Sequence, residues 1–581
     1  MFRTALLLAL ASVGSGCVTD YWSQKADQEV FSILGEKRER VLGLAEVPFD
    51  IDTPYSAEDA DEIAALRIIR ERQASDELRL GLKEALEIGT ARSRPYQFQK
   101  ESLYLAGLEL TGVRQDFTPL LQGGSTARLN ETYREGQGGA DSINRSGSVR
   151  SGVEFDLLLK TGGRLAVDLA QDIFRFYLGG RPPGGSTRFL AASLTQPLLR
   201  GAGSEVAAEN LTQAERNVAY AIRDFSRFQQ RFALDIITAF YRILQEKDRV
   251  KNEYFNYRSI ILFRERAEAL SQDRLPRFQV DQARQDELRA KNRYIQAIES
   301  YRRRVDDFKI RLGLPLQGEL YLRDDVLADL NRIGLLSLRV QTEGGFELAT
   351  TRRLDLLNEI DRFEDSQRRI RVAANAFQPG LDLFAGLDLD TNLSRSGTRY
   401  SNFDADTYRT RVGVDLDLPL DNLDERNAYR RTRIAFERQL RALSLALDQI
   451  QNEIRGGLRN LELVRQRYEI QRNAFALAQR RVEAVDLLLE AGRAETRDLL
   501  EARNDLLQAR NSLTAALIDS HLFRLELLFD LGILDIEPDD FWLKNPNISP
   551  KYRKPASKGP VTPSSEEPDF LTPEELFQES E

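Results

Sequence analysis

Between residues 440 and 489 an apolar side chain recurs at every seventh position without a slip: Leu440, Leu447, Ile454, Leu461, Tyr468, Phe475, Val482 and Leu489. Leu443, Ile450, Val464, Ala478 and Val485 supply most of a second seam, interrupted at Gly457 and Gln471. A strict seven-residue repeat drifts against the natural helical turn, so a helix that carries it must coil left-handed around partner helices. The segment 425–491 contains no proline. At about 1.5 Å per residue it predicts a rod of roughly 100 Å, far longer than a globular domain needs.

The first half has a counterpart. Leu211, Val218, Phe225 and Phe232 keep the same spacing, accompanied by Ile222, Ile236 and Ile243, and predict a long helix over 204–272. Each long segment is followed by a turn and a shorter helical pattern, 277–312 and 495–531. These close on Gly313 and Gly532, where glycine suits a left-handed C-cap. The two shorter patterns match residue for residue at one constant offset. Val280 falls on Leu499, Ala283 on Ala502, Arg284 on Arg503, Asp286 on Asp505, Leu288 on Leu507 and Ala290 on Ala509. The chain reads as an internal duplication.

The chain opens on Arg3, an apolar run from Ala5 to Val13, and the small residues Gly14, Ser15 and Gly16. That is the order of a secretory signal peptide over 1–16. Cys17, the sole cysteine, follows at once in a position that resembles a bacterial lipobox, although Gly14 stands where such boxes usually have Leu. An acylated Cys17 would tether the segment 17–75 to lipid; the alternative is an ordinary cleaved signal with an incidental cysteine. Beyond residue 16 no apolar run reaches about 18 residues, so no transmembrane helix is predicted. A chain that crosses a bilayer without one must do so as a closed barrel of strands.

Strand patterns precede each long helix. Leu381, Leu383, Leu387 and Leu389 share one parity against Asp382, Gly386 and Asp388; Val412, Val414, Leu416 and Leu418 alternate with Gly413, Asp415 and Asp417. They predict strands over 380–392 and 407–420, with one apolar and one polar face. In the first half Val153, Phe155, Leu157 and Leu159 alternate, 161–163 turns, and Leu165, Val167 and Leu169 alternate again. Further candidates lie at 127–133 and 189–197, more strand than the second half offers. Alternation alone does not select which of these span. Pro197 and Pro419 both stand where a strand gives way to a long helix, a junction suited to a residue that cannot donate a ladder hydrogen bond.

Catalytic chemistry is sparsely supplied. His521 is the only histidine, so zinc lacks ligands, and no Gly-x-x-x-x-Gly-Lys loop is present. Neither catalytic residues nor a cofactor or metal is predicted. The 91 acidic and 82 basic residues are mixed along the chain for a net charge of −9, without the basic patch of a nucleic-acid binder.

Three motifs stand in a telling order. Leu194-Thr-Gln-Pro-Leu-Leu-Arg-Gly201 lies at the first junction, and Val280-Asp-Gln-Ala283 opens the first shorter helix. Ala491-Gly-Arg-Ala-Glu-Thr-Arg-Asp-Leu-Leu-Glu-Ala502 spans the second helical turn. With the duplication and the closing Leu531-Gly532, the chain over about 76–532 resembles the TolC-like outer-membrane efflux protein family. The resemblance implies an α+β membrane protein that works as a homotrimer. Each subunit would give four strands to a shared twelve-stranded transmembrane β-barrel, and long antiparallel coiled helices to a hollow periplasmic α-barrel. The first repeat would run over 76–313, a mixed collar over 314–346 and the second repeat over 347–532. The segment 533–581, rich in Pro, Ser and Glu, would be a disordered tail.

The function so implied is a passive duct of a tripartite efflux or type I secretion system, opened by an inner-membrane transporter and a periplasmic adaptor. It would sit in outer-membrane lipid and extend into the periplasm, with no enzymatic activity and no nucleic-acid partner. In the family the helical turns form the periplasmic tip. The matching residues here are Asp498 and Glu501 at the pore aperture, and Arg274, Leu275, Pro276, Arg277, Gly492 and Arg493 as the adaptor surface. Relatives latch the tip through an Arg just past the turn glycine and an Asp opening the first-half helix. Ala494 and Gln279 occupy those places here, with Arg493 and Asp281 close by, so the latch is expected to be rewired or absent. Asp498 and Glu501 also have a plainer role, since acidic groups at a helix N-terminus complement its dipole. The rival reading is a lipid-anchored periplasmic coiled-coil spacer or adaptor, which would have no use for the paired strands.

Overall fold

The structure, a computed structural model, describes residues 15–43 and 49–536 except 57, 60, 76, 135–141, 179–184, 271–275, 337, 339, 393–407 and 492. Most of 1–16 and of 533–581, the expected signal peptide and tail, therefore lies outside the described residues. The chain begins with α1 (Ser15–Leu42), α2 (Ala65–Arg72), β1 (Leu78–Leu80), α3 (Leu82–Arg92) and α4 (Arg94–Gln115). Strands β2 (Leu120–Arg134), β3 (Ser142–Leu158), β4 (Arg164–Leu178) and β5 (Gly185–Pro197) follow. Next come the one-turn α5 (Ser204–Ala207), then α6 (Glu209–Leu270) and α7 (Arg277–Leu312). The link holds β6 (Leu320–Leu322) and α8 (Asp325–Ile333). The second half is α9 (Thr342–Arg352), α10 (Leu354–Asn375), β7 (Gly380–Asn392), β8 (Tyr408–Asp417), α11 (Leu423–Glu490) and α12 (Thr496–Asp530).

The heptads form the two long helices. With 62 and 68 residues, α6 and α11 run about 93 and 102 Å. Each is flanked by two shorter helices laid end to end: α4 and α7 beside α6, α10 and α12 beside α11. The end-to-end joint is built twice in the same way. At the close of α7, Gly313 takes φ 74°, and the amides of Gly313 and Leu314 return to the carbonyls of Ile310 and Lys309. At the close of α12, Gly532 takes φ 70°, and the amides of Gly532 and Ile533 return to Phe529 and Leu528. Both are Schellman caps, and glycine is required for more than its φ. A Cβ would stand 2.2 Å from the Arg92 carbonyl oxygen in one joint and 2.9 Å from the Arg352 carbonyl carbon in the other.

The main core lies midway along the rods, where Phe240, Tyr241 and Ile243 of α6 meet Phe308 and Leu312 of α7 and Ile518 and Leu525 of α12. Helix α1 joins it through Val30, Ile33 and Leu34, tied by Tyr104 Oη donating to Asp27 at 2.6 Å. Beside it, β1 and β6 pair in parallel as a small two-stranded sheet. Ile533 and Leu534 pack against the same core, so the chain stays ordered slightly past α12.

Among the described residues the remaining strands form one antiparallel sheet, in the order β2-β3-β4-β5-β7-β8. This differs from the four strands that the resemblance implies. The first half contributes two hairpins to the ladder and the second half one. Among the described residues no helix is long and apolar enough to cross a membrane.

Candidate functional site

The sheet has two chemically distinct faces, and the register defines them strand by strand. One row of paired residues runs Val153, Leu169, Leu190, Leu389, Tyr408; the next runs Phe155, Val167, Ala192, Leu387, Thr410. A third runs Leu157, Leu165, Leu194, Ala385, Val412. Strand β2 continues this face with Leu121 and Leu129, both strongly exposed. The opposite face is polar: Glu154, Asp168, Ala191, Asp388 and Arg409 form one row across β3, β4, β5, β7 and β8. Its charges pair locally, Arg164 with Asp156 and Arg411 with Asp388 at 2.7 Å. An apolar face backed by a charged one is what a strand between lipid and water requires.

Where the sheet meets the helices, the two halves are stitched together. Pro197 ends β5 opposite Asp382, and the amide of Leu198 donates to the Leu381 carbonyl at 2.8 Å. The amide of Gly201 donates to Asn375 Oδ1 at 2.8 Å, and Arg200 pairs with Asp417 at the base of β8. Pro419 lies between β8 and α11 in a stretch whose Leu418 and Leu420 are exposed, the latter almost fully at 98%.

Below this junction a buried polar clasp joins α6 to α10. Asp365, 3% exposed, accepts hydrogen bonds from Tyr220 Oη at 2.6 Å, Arg216 Nη1 at 2.7 Å, Arg368 Nη1 at 3.0 Å and Gln213 Nε2 at 3.1 Å. Arg368 reaches on to Glu209 at 2.6 Å. Burial alone would raise the Asp365 carboxyl, but the bonds from Tyr220 and Gln213 and the two guanidinium charges outweigh it and hold it below the usual carboxylate range. Sequence patterns gave no hint of this clasp, because its partners lie about 150 residues apart and no local period links them.

At the other end of the rods a second core collects all four helices: Ile260, Phe263 and Ala267 from α6, Ala283 and Ala290 from α7, Val482 and Val485 from α11, and Leu499 and Leu500 from α12. It places both helical turns at one tip. Leu499 and Leu500 point inward, which leaves Asp498 and Glu501 on the exposed flanks of the same turn. Asp498 closes a capping box, its carboxylate accepting the Glu495 amide at 3.0 Å. Glu501 accepts from Arg481 of α11 at 3.1 Å, and Arg481 also grips Asp505.

Pro276, with φ −66°, is the exposed N-cap of α7, and Arg277 is exposed beside it. Arg493 is exposed too, its amide donating to the Leu488 carbonyl. Arg274, Leu275 and Gly492 lie outside the described residues, and Cys17 falls in the first turn of α1. Ion pairs tie α6 to α7 at this tip: Arg264 to Glu287 at 2.5 Å and Arg284 to Glu268 at 3.0 Å. Hydrogen bonds from Arg264 and Arg284 hold the Glu268 carboxyl below its ordinary range.

His521 is a packed residue, edge-on to Tyr241 at 5.3 Å between ring centres. Burial and then the Arg524 charge push it down to about 3, so it stays neutral at working pH. Among the described residues no group of His, Cys, Asp or Glu could hold a metal ion.

The model of the outer membrane efflux protein family matches residues 346–521. No curated protein matches the sequence. Several solved structures share the fold. The CmeC outer membrane channel of Campylobacter jejuni is 12% identical, with a TM-score of 0.55 over 78% of this chain and 85% of its own. VceC, an outer membrane protein of Vibrio cholerae, is 14% identical, with a TM-score of 0.54 over 78% and 96%. CusC, whose structures concern transmembrane channel formation, is 13% identical, with a TM-score of 0.56 over 84% and 96%.

Proposed function

The chain belongs to the TolC-like outer membrane efflux protein family, carrying that domain over 346–521 and the family fold beyond it, and on this premise we propose that three copies form a passive duct from the periplasm to the exterior. The observation that carries the reading is the sheet. In β3, β4, β5, β7 and β8 the rows nearest the helices keep one face mostly apolar, while β2 and β8 are left as open edges. Unpaired strand edges are not tolerated in hydrocarbon, so the sheet must close with other copies of itself.

The helices point to the same partner. Leu463, Ile470 and Leu477, each 61% exposed, form a second seven-residue seam on the flank of α11. Phe255 and Leu262 on α6, and Leu288 and Ile295 on α7, keep the same spacing and are also exposed. Such seams demand neighbouring helices, and a second copy of this chain offers them. The duct is not an enzyme; the energy for transport comes from an inner-membrane transporter, which a periplasmic adaptor couples to the tip. The exposed Pro276, Arg277 and Arg493 belong to the surface such an adaptor would grip, together with Arg274, Leu275 and Gly492. Asp498 and Glu501 would ring the aperture, and Arg481, by holding Glu501 within its own subunit, would set how much negative charge faces the axis. An acylated Cys17 would add a lipid tether.

The test is electron-microscope imaging of the full-length protein extracted from membranes in mild detergent. A three-fold particle with a detergent belt at one end and a hollow helical cylinder of roughly 100 Å is the expected result. A thin monomeric rod that needs no detergent once Cys17 is replaced would leave a periplasmic spacer instead.

A further inference from the structure

The second half builds one hairpin, β7–β8, between α10 and α11, while the first half builds two between α4 and α6. Strand β2 follows α4 as β7 follows α10, and β5 runs into its long helix through Pro197 as β8 does through Pro419. The inserted pair is therefore β3–β4. We propose that this hairpin spans the membrane like the others, so that three copies close an eighteen-stranded barrel. The inference rests on the channel reading above and concerns the width of its outer-membrane end.

Four observations support it. First, β3 pairs with β2 over 15 residues and with β4 over 14, against 10 for β7–β8, so the insertion is the most extensively paired part of the ladder. Second, its strands of 17 and 15 residues exceed the roughly 9–11 that a tilted crossing needs. Third, the apolar face does not stop at the insertion. Val149, Val153, Phe155 and Leu157 on β3, and Leu165, Val167 and Leu169 on β4, share the face of Leu190, Leu387 and Val412, interrupted on β3 by Ser151, whose hydroxyl is hydrogen-bonded to that of Ser125 at 2.9 Å. The intervening positions Arg150, Glu154, Asp156 and Asp168 share the charged one. A hairpin folded into the lumen or splayed into water has no need to match both faces in register.

Fourth, its turn is docked at the level where strands become helices. Gly162, at φ 92°, closes the turn with its amide on the Leu159 carbonyl at 2.8 Å. A Cβ there would stand 2.6 Å from the Gly201 carbonyl oxygen. The amide of Gly203 donates to the Thr161 carbonyl at 3.1 Å, and Gln196 Nε2 donates to the same oxygen at 3.2 Å. The turn thus sits against the elbow leading into α6, at the periplasmic rim, and β3 and β4 run outward from it beside β2 and β5.

The width follows from strand number. With strands about 4.8 Å apart and tilted about 40°, eighteen strands give a backbone diameter of about 36 Å, against about 24 Å for twelve. The outer mouth would have about twice the cross-section of a twelve-stranded one.

The deciding experiment is a reconstruction of the full-length protein in lipid nanodiscs at a resolution that separates strands. Eighteen strands inside the lipid belt are expected. A three-fold, twelve-stranded barrel with β3–β4 outside the lipid would overturn the inference and leave the channel standing. The lack of any membrane-embedded three-fold particle would remove the channel reading as well. An independent readout uses a fluorophore at Val153→Cys or Glu154→Cys in a Cys17→Ser background. Brominated acyl chains should quench the first at least several-fold more than the second, and equal quenching would refute a lipid-facing Val153.

Discussion

Replacing Asp365 with Asn tests how the two halves are held together below the membrane. The substitution keeps the side chain's shape and removes its charge, so two guanidinium groups, Arg216 and Arg368, lose the carboxylate they share. Arg368 keeps Glu209 and Arg216 keeps Glu364, but the amide has one acceptor oxygen for four donors and sets its NH2 against either the Tyr220–Gln213 pair or the two guanidinium groups. Removing one member of a buried ionic cluster costs about 3–5 kcal/mol when the remaining charges lose their compensation, which Glu209 and Glu364 restore only in part here. The clasp is local, so the effect should appear as local opening of α6 and α10 near the sheet. At about 1.4 kcal/mol per decade, amide exchange across 213–220 and 361–368 should accelerate roughly 150- to 5,000-fold at neutral pH, while the tip is unaffected. Since the folded state holds the Asp365 carboxyl below its unfolded value, its stabilisation is present above the unfolded pKa and is lost as pH falls through the folded one. Wild type and variant should therefore converge in strong acid. A change under tenfold at pH 7, or a difference that persists at pH 2, would refute the reasoning.

Three other outcomes are expected. Asp530 closes α12 where a helix end disfavours negative charge, and burial, then Glu453, push its carboxyl up to about 6 against the pull of Arg353 and Arg227. A raised acid destabilises the fold as pH climbs from about 4 through 6, so Asp530→Asn should stabilise by about 1–3 kcal/mol at pH 7.5 and by nothing at pH 4, read as thermal midpoints. Gly532→Ala must place a side chain at positive φ against the Arg352 backbone and should cost about 1–3 kcal/mol, whereas Gly456→Ala, half-buried mid-helix with open space where a Cβ would stand, should be neutral or stabilising in the same melt. In β5, Ala192→Arg puts a cation on the apolar face at about 2–4 kcal/mol per subunit and should abolish membrane-inserted trimers; Ser193→Arg, one residue on and facing the other way, should leave their yield intact.

What the sequence disclosed and what it hid divide along one physical line. Heptads and strand alternation are local periods, and they place α6, α11, β7 and β8 to within a few residues. The paired Leu-Gly endings, Leu312-Gly313 and Leu531-Gly532, mark the two Schellman joints for the same reason: the cap is written in adjacent residues. The clasp at Asp365, the Arg481 grip on Glu501 and the docking of α1 depend on partners remote in sequence. For α1 a faint signal existed, Val30, Ile33 and Leu34 at helical spacing, set in an otherwise polar segment. Strand number fell between the two cases. The alternation in β3 and β4 is plain, but only the pairing register shows that their apolar positions line up with those of β7 and β8.

An inserted hairpin is a change the helices need not register. Adding two strands keeps the parity of the meander, so β5 still arrives at the elbow travelling toward α6, and the Pro197 junction is the same as it would be after a single hairpin. Only the circumference grows. Four helices per copy pass the junction, α4, α6, α10 and α11, and three copies would place twelve around the axis. At about 8–10 Å between axes that ring measures roughly 100–120 Å around. Eighteen strands tilted about 40° measure about 113 Å, which meets the ring without a step; twelve measure about 75 Å and would have to tilt to about 60° to match it. In a trimer of this chain the extra hairpin would therefore relieve a mismatch at the membrane surface, and its register and its docked turn are features such a role requires.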